Sequence, residues 1–318
     1  MPNTNQPTPY QEFQISTVDE LQDELTRIRR QPGHLLYRGQ CADWPLIPSR
    51  FRELSDKNPL TTKDLERSLE SERHDVIYFA TQADQMGFNL PGDLFPLLNR
   101  NLCEDMLEAQ WDSVSNPWIE TIALAQHHGV PSRLLDFTAV AEVALFFAAR
   151  DTCNRLAQKS ESTSSEGFSS FVLWLVSDNY YPLSQCVRRV NVSISSNPYL
   201  RAQHAAFLAY ELPIVTGSGL LEPDAVNLLE IMKKDNIQLT KTMPGLRDMW
   251  PTVVKFKMPV SIAPELMRRL DASGYNSMSM MPNLDSVVRH RKERFEQLPD
   301  LLRIHCPSPT NMKRYKFS

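Results

Sequence analysis

Two helical patterns are joined by the stretch HHGVPSRLLDFT, residues 127–138. The helix predicted over Glu120–His127 is stopped by the Gly-Val-Pro of residues 129–131, because glycine and proline end helices. The apolar residues that follow predict a strand over Ser132–Phe137, and a strongly apolar run predicts a second helix over Ala139–Arg150. A helix end, a tight turn, a strand end and a helix start thereby collect several polar side chains in one place.

Further predicted elements surround this unit. The chain has 23 prolines and only 10 glycines, which indicates many short elements and fixed loops. The predicted fold is therefore α+β, a single mixed domain with a central, mostly antiparallel sheet flanked by helices. The predicted strands cover residues 34–39, 171–176, 201–210 and 253–257, and the other predicted helices cover residues 17–28, 62–83 and 264–272.

The organisation along the chain follows from composition. Residues 1–15 are polar and contain prolines, which predicts a flexible leader. The main domain is predicted over residues 16–295, followed by a C-terminal extension over 296–318. The polar segment of residues 157–169 is predicted to be a surface loop within the domain, because the strands on its two sides need each other.

Composition and charge exclude several classes of protein. The 318 residues carry a formal net charge of −4, which excludes the basic balance of proteins that coat nucleic acid. No stretch approaches 18 uninterrupted apolar residues, so a membrane-spanning helix is not predicted, and the first residues do not resemble a secretory signal. The five cysteines are scattered without close pairs, which predicts reduced thiols, a cytoplasmic location and no zinc site.

The first candidate site is the sequence Tyr-Arg-Gly-Gln at residues 37–40. An arginine at the end of an apolar strand is costly to bury without a partner, and the adjacent Gly39 allows a close backbone approach. The guanidinium of Arg38 suits a two-pronged contact with a phosphate, a carboxylate or ribose hydroxyls. The alternative is an arginine bound to backbone carbonyls at a strand end.

The second candidate site is the end of the strand that carries Asp136. Either Asp136 or Thr138 could cap the helix that follows, so a structural role stands beside a catalytic one for the carboxylate. His127 and His128 are neighbours on a helix and point about 100° apart, so they rarely bind one ion, and no metal site is predicted. Arg133 is a candidate ligand-binding residue, with an ion pair to Asp136 as the alternative.

The third candidate site is Gln203, in the strand predicted over Arg201–Tyr210. On a strand, Gln203 would face the same way as Arg201 and Ala205. A glutamine among apolar neighbours requires hydrogen-bond partners, although an ordinary edge residue remains the alternative. Glu211 is the nearest carboxylate at the end of this strand.

A basic cluster follows residue 288, and it most simply forms a solvated helix face. A contact with nucleic acid is the alternative. The sequence contains no GxxxxGK[ST], GxGxxG, HExxH or GxSxG motif, so no P-loop, Rossmann, zincin or α/β-hydrolase assignment is supported. The cluster consists of Arg289, His290, Arg291, Lys292 and Arg294.

Four ordered elements resemble the FRG domain, a family named for its (Phe/Tyr)-Arg-Gly motif. The resemblance covers about residues 34–290, and it departs from the family where Ala205 replaces a glycine. It implies an FRG-like domain over residues 16–295. The four elements are YRGQ at 37–40, HHGVPSRLLDFT at 127–138 with ALFFA at 144–148, Gln203 with Phe207, and MPNLD at 281–285.

The strand that ends in Tyr-Arg-Gly is also similar to the first motif of the Arg…Ser…Glu class of ADP-ribosyltransferases. In that class the arginine helps to hold NAD, a serine-bearing strand precedes a helix, and a later glutamate activates the attacking group. Residues 132–138 resemble the second element. Gln203 stands about where the acid would be sought, and no Glu-x-Glu or Gln-x-Glu accompanies it.

These resemblances imply an NAD-using enzyme with an ADP-ribosyltransferase-like fold, acting as an intracellular toxin or antiviral defence effector on an unidentified macromolecular acceptor. Asp136, or failing it Glu211, would polarise a ribose hydroxyl. The alternative is a module that binds a phosphorylated ligand or nucleic acid without turnover, and a third is a purely structural interaction protein. The implied catalytic residues are Arg38, Asp136 and Glu211, and the implied NAD-binding residues are Tyr37, Arg38, Gly39, Gln40, His128, Arg133, Phe137 and Gln203.

Overall fold

The centre of the molecule is a seven-stranded mixed sheet with helices on both faces. The computed structural model describes residues 10–30, 34–90, 118–159, 168–177, 184, 187–190, 192, 198–210, 219–222, 224–242 and 253–305. The strands are β1 (Tyr10–Gln14), β2 (Leu35–Gln40), β3 (Leu60–Thr61), β4 (Leu135–Thr138), β5 (Ser170–Ser177), β6 (Val187–Val190), β7 (Ala205–Tyr210), β8 (Leu220–Leu221) and β9 (Val253–Pro259).

Ten α-helices are seen in the described part of the chain. Short 3₁₀ helices add Ser49–Leu54 and Val260–Ile262, and a π-helical turn covers Glu293–Gln297. The α-helices are α1 (Val18–Arg29), α2 (Thr62–Gln85), α3 (Ile119–His127), α4 (Ala141–Lys159), α5 (Pro198–Ala202), α6 (Leu228–Thr242), α7 (Ala263–Ala272), α8 (Ser277–Met280), α9 (Leu284–Lys292) and α10 (Leu298–His305).

The strand order in the sheet is β1-β9-β5-β2-β4-β7-β6, and β3 pairs with β8 in a separate two-stranded sheet. Among the described strands of the large sheet, only β1 and β9 pair in parallel, so the prediction of a mostly antiparallel α+β fold is confirmed. The β2–β5 ladder joins six positions, whereas β2 and β4 pair only at Tyr37 and Thr138. The strands that carry the first two candidate sites therefore separate along most of their length.

Both faces of the sheet are buried, and the inner strand β5 shows this in its sequence. Along β5, Phe171 and Leu173 pack into the core beneath α1, α4 and α7, while Val172 and Trp174 pack into the opposite core. A strand covered on both faces needs apolar residues at every position, so it lacks the usual alternation. A third cluster joins the second half of α2, helix α3 and strand β7.

The ends of the domain differ from the sequence prediction. The leader predicted for residues 1–15 is wrong for Tyr10–Gln14, which form β1 and pair with β9 over five positions. The predicted extension from residue 296 contains α10, whose Leu298 and Leu301 are buried in the core beneath α4 and α7. Strand pairing therefore makes the first segment part of the domain, and the burial of apolar side chains does the same for the second.

Two internal predictions also need correction. Helix α4 runs to Lys159, so the polar stretch predicted as a loop from residue 157 begins inside a helix. The strand predicted over Arg201–Tyr210 is a short helix followed by a strand that begins at Ala205. The backbone turns at His204, whose φ of 46° lies in the left-handed region and breaks the strand.

No helix in the described segments combines the length and the apolar character that a membrane crossing demands.

Candidate functional site

A cavity of about 370 Å³ opens where β2 and β4 separate. Helices α3, α4 and α5 and strand β7 complete its walls. Its polar lining comes mainly from Arg38, Gln126, His127, Asp136 and Gln203. The remaining lining residues are Tyr37, Gly39, Phe137, Thr138, Val143, Ala144, Phe147, Leu200, Ala205 and Phe207.

Arg38 fills part of the gap between the two strands. Its Nη1 donates a 2.7 Å hydrogen bond to the backbone oxygen of Asp136 and lies 3.7 Å from the Asp136 carboxylate. Because β2 and β4 pair only at Tyr37 and Thr138, the Asp136 carbonyl accepts its hydrogen bond on this side from the Arg38 side chain and not from the backbone of β2. Burial lowers the pKa of Arg38, yet an arginine stays charged, so the cavity contains a fixed cation. This hydrogen bond is the strand-end contact predicted as the structural alternative, and it uses one of the guanidinium nitrogens.

Asp136 presents its carboxylate to the cavity, with 60% of the side chain exposed there. The surrounding protein atoms raise the pKa of the Asp136 carboxyl above its ordinary value, and the charges of Arg38 and His127 oppose the rise. The side chain does not cap helix α4. Thr138 does so, since its Oγ1 accepts from the amide of Val140 and donates to the backbone oxygen of Gln203.

A chain of hydrogen bonds fixes the orientation of Asp136. The side-chain amide of Gln126, on α3, donates to its carboxylate, and the Oγ of Ser132 donates to the Gln126 oxygen. Ser132 in turn accepts 3.1 Å from the amide of Leu134 and donates its own amide to Ser49 Oγ over 3.0 Å. Gln126 was missed as a site residue, although it lies one helical turn before the glycine that ends α3.

The two adjacent histidines face different spaces. His127 lines the cavity and lies 5.3 Å, centroid to centroid, from the ring of Tyr199. His128 instead stacks on Phe79 at 5.9 Å, beside a separate groove. His128, which the resemblance implied to bind NAD, therefore does not line this cavity, because adjacent helical residues point apart. Burial lowers the pKa of His127, and the charge of the neighbouring His128 lowers it further. The lowered pKa favours a neutral ring.

Gln203 reaches the cavity from the turn between α5 and β7. Its Nε2 donates over 3.2 Å to the backbone oxygen of Met280, at the end of α8. Close by, Asn283 caps α9 and donates to the hydroxyl of Tyr199 over 3.1 Å. The closing element around residues 281–285 thus supports one side of the cavity. The predicted strand face shared by Arg201, Gln203 and Ala205 is wrong, because only Ala205 belongs to a strand.

Gly39 and Tyr37 lie at the base of the cavity. A Cβ on Gly39 would stand 2.0 Å from the backbone oxygen of Ala144, so the close approach at this glycine is that of helix α4. Tyr37 is buried in the core, and this burial raises the pKa of its hydroxyl. Phe137 borders the cavity, although it packs in the opposite core with Leu36.

Two predicted ligand-binding residues lie elsewhere. Gln40 is buried, and its oxygen accepts a 2.7 Å hydrogen bond from the indole of Trp174. Arg133 is not paired with Asp136; its amide and its Nε both donate to the carboxylate of Glu72 over 2.6 Å, and both side chains are almost fully buried. Both residues contribute to the core. Glu211, the third predicted catalytic residue, lies outside the described residues.

The donor set of the cavity fits an organic anion better than a metal ion. Among the described residues, no group of three or more His, Cys, Asp or Glu side chains converges at a common point. The cavity instead combines one guanidinium, one carboxylate, two side-chain amides and aromatic walls. Such a mixture of apolar surface and a few directed polar groups is typical of sites for small organic ligands.

One comparison with known proteins gives a match. Residues 33–156 match the family model of the FRG domain. No curated protein and no solved structure matches the chain. The matched segment contains the Arg38, Gln126, His127 and Asp136 of the cavity, whereas Gln203 lies outside it.

Proposed function

This chain carries an FRG domain in residues 33–156, and we propose that its cavity binds NAD and cleaves the bond between nicotinamide and ribose. The observation that carries the proposal is the pair formed by Arg38 and Asp136, a buried cation beside a carboxylate in an aromatic-lined cavity. Transfer of the ADP-ribosyl group to a macromolecule, as a toxin or a defence effector would perform it, is one outcome of that cleavage.

The size and the lining of the cavity support this choice. A volume of about 370 Å³ lies in the lower part of the range for small-molecule sites and suits a nicotinamide riboside rather than a whole dinucleotide. Phe147 and Phe207 offer apolar surface to the nicotinamide ring. Arg38 uses Nη1 for its hydrogen bond to the Asp136 backbone oxygen, so further donors remain for ribose or phosphate oxygens.

Cleavage of NAD develops positive charge at the anomeric carbon of the ribose, and one group of the protein must stabilise this charge. The C1′–N1 bond breaks, its electron pair leaves with nicotinamide, and an oxocarbenium-like ribosyl group forms. The ionised carboxylate of Asp136 stabilises this charge and holds a ribose hydroxyl. Water, or an acceptor nucleophile, then forms the new C1′–O bond and releases a proton. With water the products are ADP-ribose, nicotinamide and one proton.

Gln126 orients the Asp136 carboxylate, and His127 forms part of the cavity wall beside it. Gln126 fixes the Asp136 side chain through its amide, so the carboxylate needs little reorganisation in the transition state. The neutral ring of His127 adds a polar wall without a second cation, which would oppose the charge that develops on ribose.

A binding module without turnover is the second candidate function. It is favoured by one observation: among the described residues that line the cavity, Asp136 is the only carboxylate. In this case Arg38 and Gln203 would hold a phosphorylated ligand, and no bond would break.

The experiment is to incubate the purified protein with NAD and to follow nicotinamide release by chromatography. We expect release by the wild type, and about a 100-fold or greater loss in Asp136→Asn, because a transition-state charge loses its stabiliser. NAD should still raise the thermal stability of Asp136→Asn. Asp300→Asn, which changes an exposed carboxylate on α10, is the matched control and should retain full activity.

The outcomes separate the two functions. Release that persists in both Arg38→Ala and Asp136→Asn would contradict the assignment of the cavity. Absence of release, with a thermal shift that depends on Arg38, would support the binding module. Absence of both release and thermal shift would reject NAD as the ligand.

A further inference from the structure

His127 is the last residue of helix α3, and it lines the cavity. A turn fixes this end of the helix: the amide of Gly129 donates to the backbone oxygen of Gln126 over 2.9 Å, and the amide of Val130 donates to that of Ala125 over 3.0 Å. Gly129 allows the turn, because its φ of 97° lies in the left-handed region. The glycine that ends the helix therefore also holds His127 in place at the cavity.

The ring of His127 packs against other rings and keeps its nitrogens available. It lies 5.3 Å from the ring of Tyr199 on α5 and 5.4 Å from the ring of His128, centroid to centroid. Among the residues that the structure describes, no hydrogen bond or ion pair engages Nδ1 or Nε2 of His127. The packing thus orients the imidazole without using the atoms that could act on a bound molecule.

The cavity offers few groups that could accept a proton. The attack of water or an acceptor on ribose releases one, and a base beside the attacking oxygen speeds this step. Asp136 must stay ionised to stabilise the ribosyl charge, and Arg38 is already protonated. The hydroxyl of Tyr37 keeps its proton, because burial raises its pKa. Side-chain amides and aliphatic hydroxyls are not bases at neutral pH, so the imidazole of His127 remains among the described lining residues.

We propose that His127 is the general base of the reaction, which accepts the proton of the water molecule or acceptor group that attacks C1′. This inference rests on the proposed function. An electron pair of the attacking oxygen forms the C1′–O bond, and the proton of that oxygen moves to a ring nitrogen of His127. The imidazolium then returns the proton to solvent. Its charge appears only as the charge on ribose disappears, and the Asp136 carboxylate in the same cavity stabilises it.

The surroundings keep the ring in the form that accepts a proton. Burial lowers the pKa of His127, the charge of His128 lowers it further, and the carboxylate of Asp136 opposes both effects. The ring is therefore neutral at about pH 7, below which an ordinary histidine begins to gain its proton. The titratable and charged groups around the ring are His128 on α3, Asp136 on β4, Arg38 and Tyr37 on β2, and Tyr199 on α5.

The first experiment measures the formation of ADP-ribose from NAD by His127→Gln, whose amide cannot accept a proton at neutral pH. We expect kcat to fall about 100-fold or more, with little change in KM, because a general base acts in the transition state. His128→Gln is the matched control, since it removes the adjacent histidine, which lies outside the cavity. It should keep the wild-type kcat. An unchanged kcat in His127→Gln, or equal losses in the two variants, would overturn the proposal.

The second experiment follows kcat from about pH 8 down to about pH 4. Two groups, Asp136 and His127, must be deprotonated in the wild type, so its activity should fall more steeply with acid than that of His127→Gln. In His128→Gln the fall should begin at higher pH, because the charge that lowers the pKa of His127 is gone. An acid limb with the same steepness and midpoint in the wild type and in His127→Gln would contradict the role.

A third measurement needs only the wild type and decides the same point if His127→Gln does not fold. The ring of His127 is titrated by NMR in the intact protein, and it should be neutral at the pH of maximal kcat. A ring that is still protonated at that pH would overturn the proposal.

The outcomes separate this role from the reaction itself. ADP-ribose formation that persists at the wild-type rate in His127→Gln would reject the general base and leave NAD cleavage standing. Absence of nicotinamide release by the wild type at every pH would reject the proposed reaction, and the role of His127 with it.

Discussion

Gly39 lies where helix α4 presses against strand β2. Any side chain there meets the backbone oxygen of Ala144, and the methyl group of Ala148 would be only 2.9 Å away. The glycine of the Tyr-Arg-Gly motif therefore has a packing role, which is separate from ligand binding. It also sets the position of Arg38, its neighbour on the same strand.

We predict that Gly39→Ala destabilises the protein by roughly 1–3 kcal/mol or more, because overpacking forces α4 away from the sheet. Chemical denaturation measures this loss. Adding Ala148→Gly should not restore stability, because the closest atom to the new methyl group belongs to the backbone of Ala144. Full rescue by Ala148→Gly would show that the side-chain contact, and not the helix backbone, sets the requirement.

Asp136 links function to stability through its raised pKa. Its pKa in the folded protein lies above the unfolded value of about 3.9, so the folded state binds this proton more tightly. Between these two pKa values the folded state holds more protons, and stability falls as the pH rises. At neutral pH the ionised carboxylate therefore lowers the free energy of unfolding.

We predict that Asp136→Asn raises the Tm at about pH 7, and that the gain shrinks as the pH falls through the raised pKa of the Asp136 carboxyl and is lost by about pH 4, where the carboxyl is protonated in both states. The backbone oxygen that accepts from Arg38 is unchanged by this substitution. Thermal unfolding across this pH range provides the measurement, with Asp300→Asn as the exposed control. A lower Tm for Asp136→Asn at neutral pH would contradict the raised pKa.

At the scale of elements, a buried ion pair joins helix α2 to the segment before β4. Glu72 has 0% and Arg133 5% of the side chain exposed. The Glu72 carboxylate accepts from the Arg133 amide as well as from its guanidinium. The ion pair and the hydrogen bonds of Ser132 both act on the segment just before β4. They therefore fix the position of the strand that carries Asp136.

We predict that Glu72→Ala costs about 3–5 kcal/mol, because it removes the carboxylate that faces the buried charge of Arg133. The double variant Glu72→Met with Arg133→Met should lose less than Glu72→Ala alone. It should not regain full stability, because the Arg133 amide still lacks its acceptor. Denaturant unfolding of the double-mutant cycle tests this coupling, and additive losses would contradict it. The exposed pair Arg303–Asp300 should contribute less than about 1 kcal/mol.

At the scale of the whole molecule, the cavity is a consequence of how the sheet is assembled. Strand β2 is fully paired with β5, but it meets β4 at one position only. The space left between the strands is filled by the guanidinium of Arg38 and continues into the cavity. Helices α3 and α4, which flank β4 in the chain, and helix α5, which comes later in the chain, close this space.

Several elements could be predicted because their signals are local. The apolar run of β5, the helix α1 with its Thr17 cap and the helix stop at Gly129 depend on residues within a few positions of each other. The resemblance to the ADP-ribosyltransferases implied that Arg38 and Asp136 belong to one site, and the structure places the two side chains 3.7 Å apart.

The predictions that were wrong concern contacts between residues that are distant in the sequence. Which of His127 and His128 faces the cavity depends on how α3 is rotated against the sheet. The partner of Arg133 is 61 residues away, on α2, and β1 is part of the sheet only because β9 lies beside it. No local pattern carries this information.

The amino-acid sequence by itself determined the fold class, the central strands and the two motifs that supply Arg38 and Asp136, because periodicity and turn residues act over short distances. Only the tertiary structure decided which side chains share the cavity. Gln126, His127 and Gln203 meet there, whereas Gln40 and Arg133 lie in the core. The physical reason is that strand register and buried ion pairs are set by the balance of burial over the whole chain.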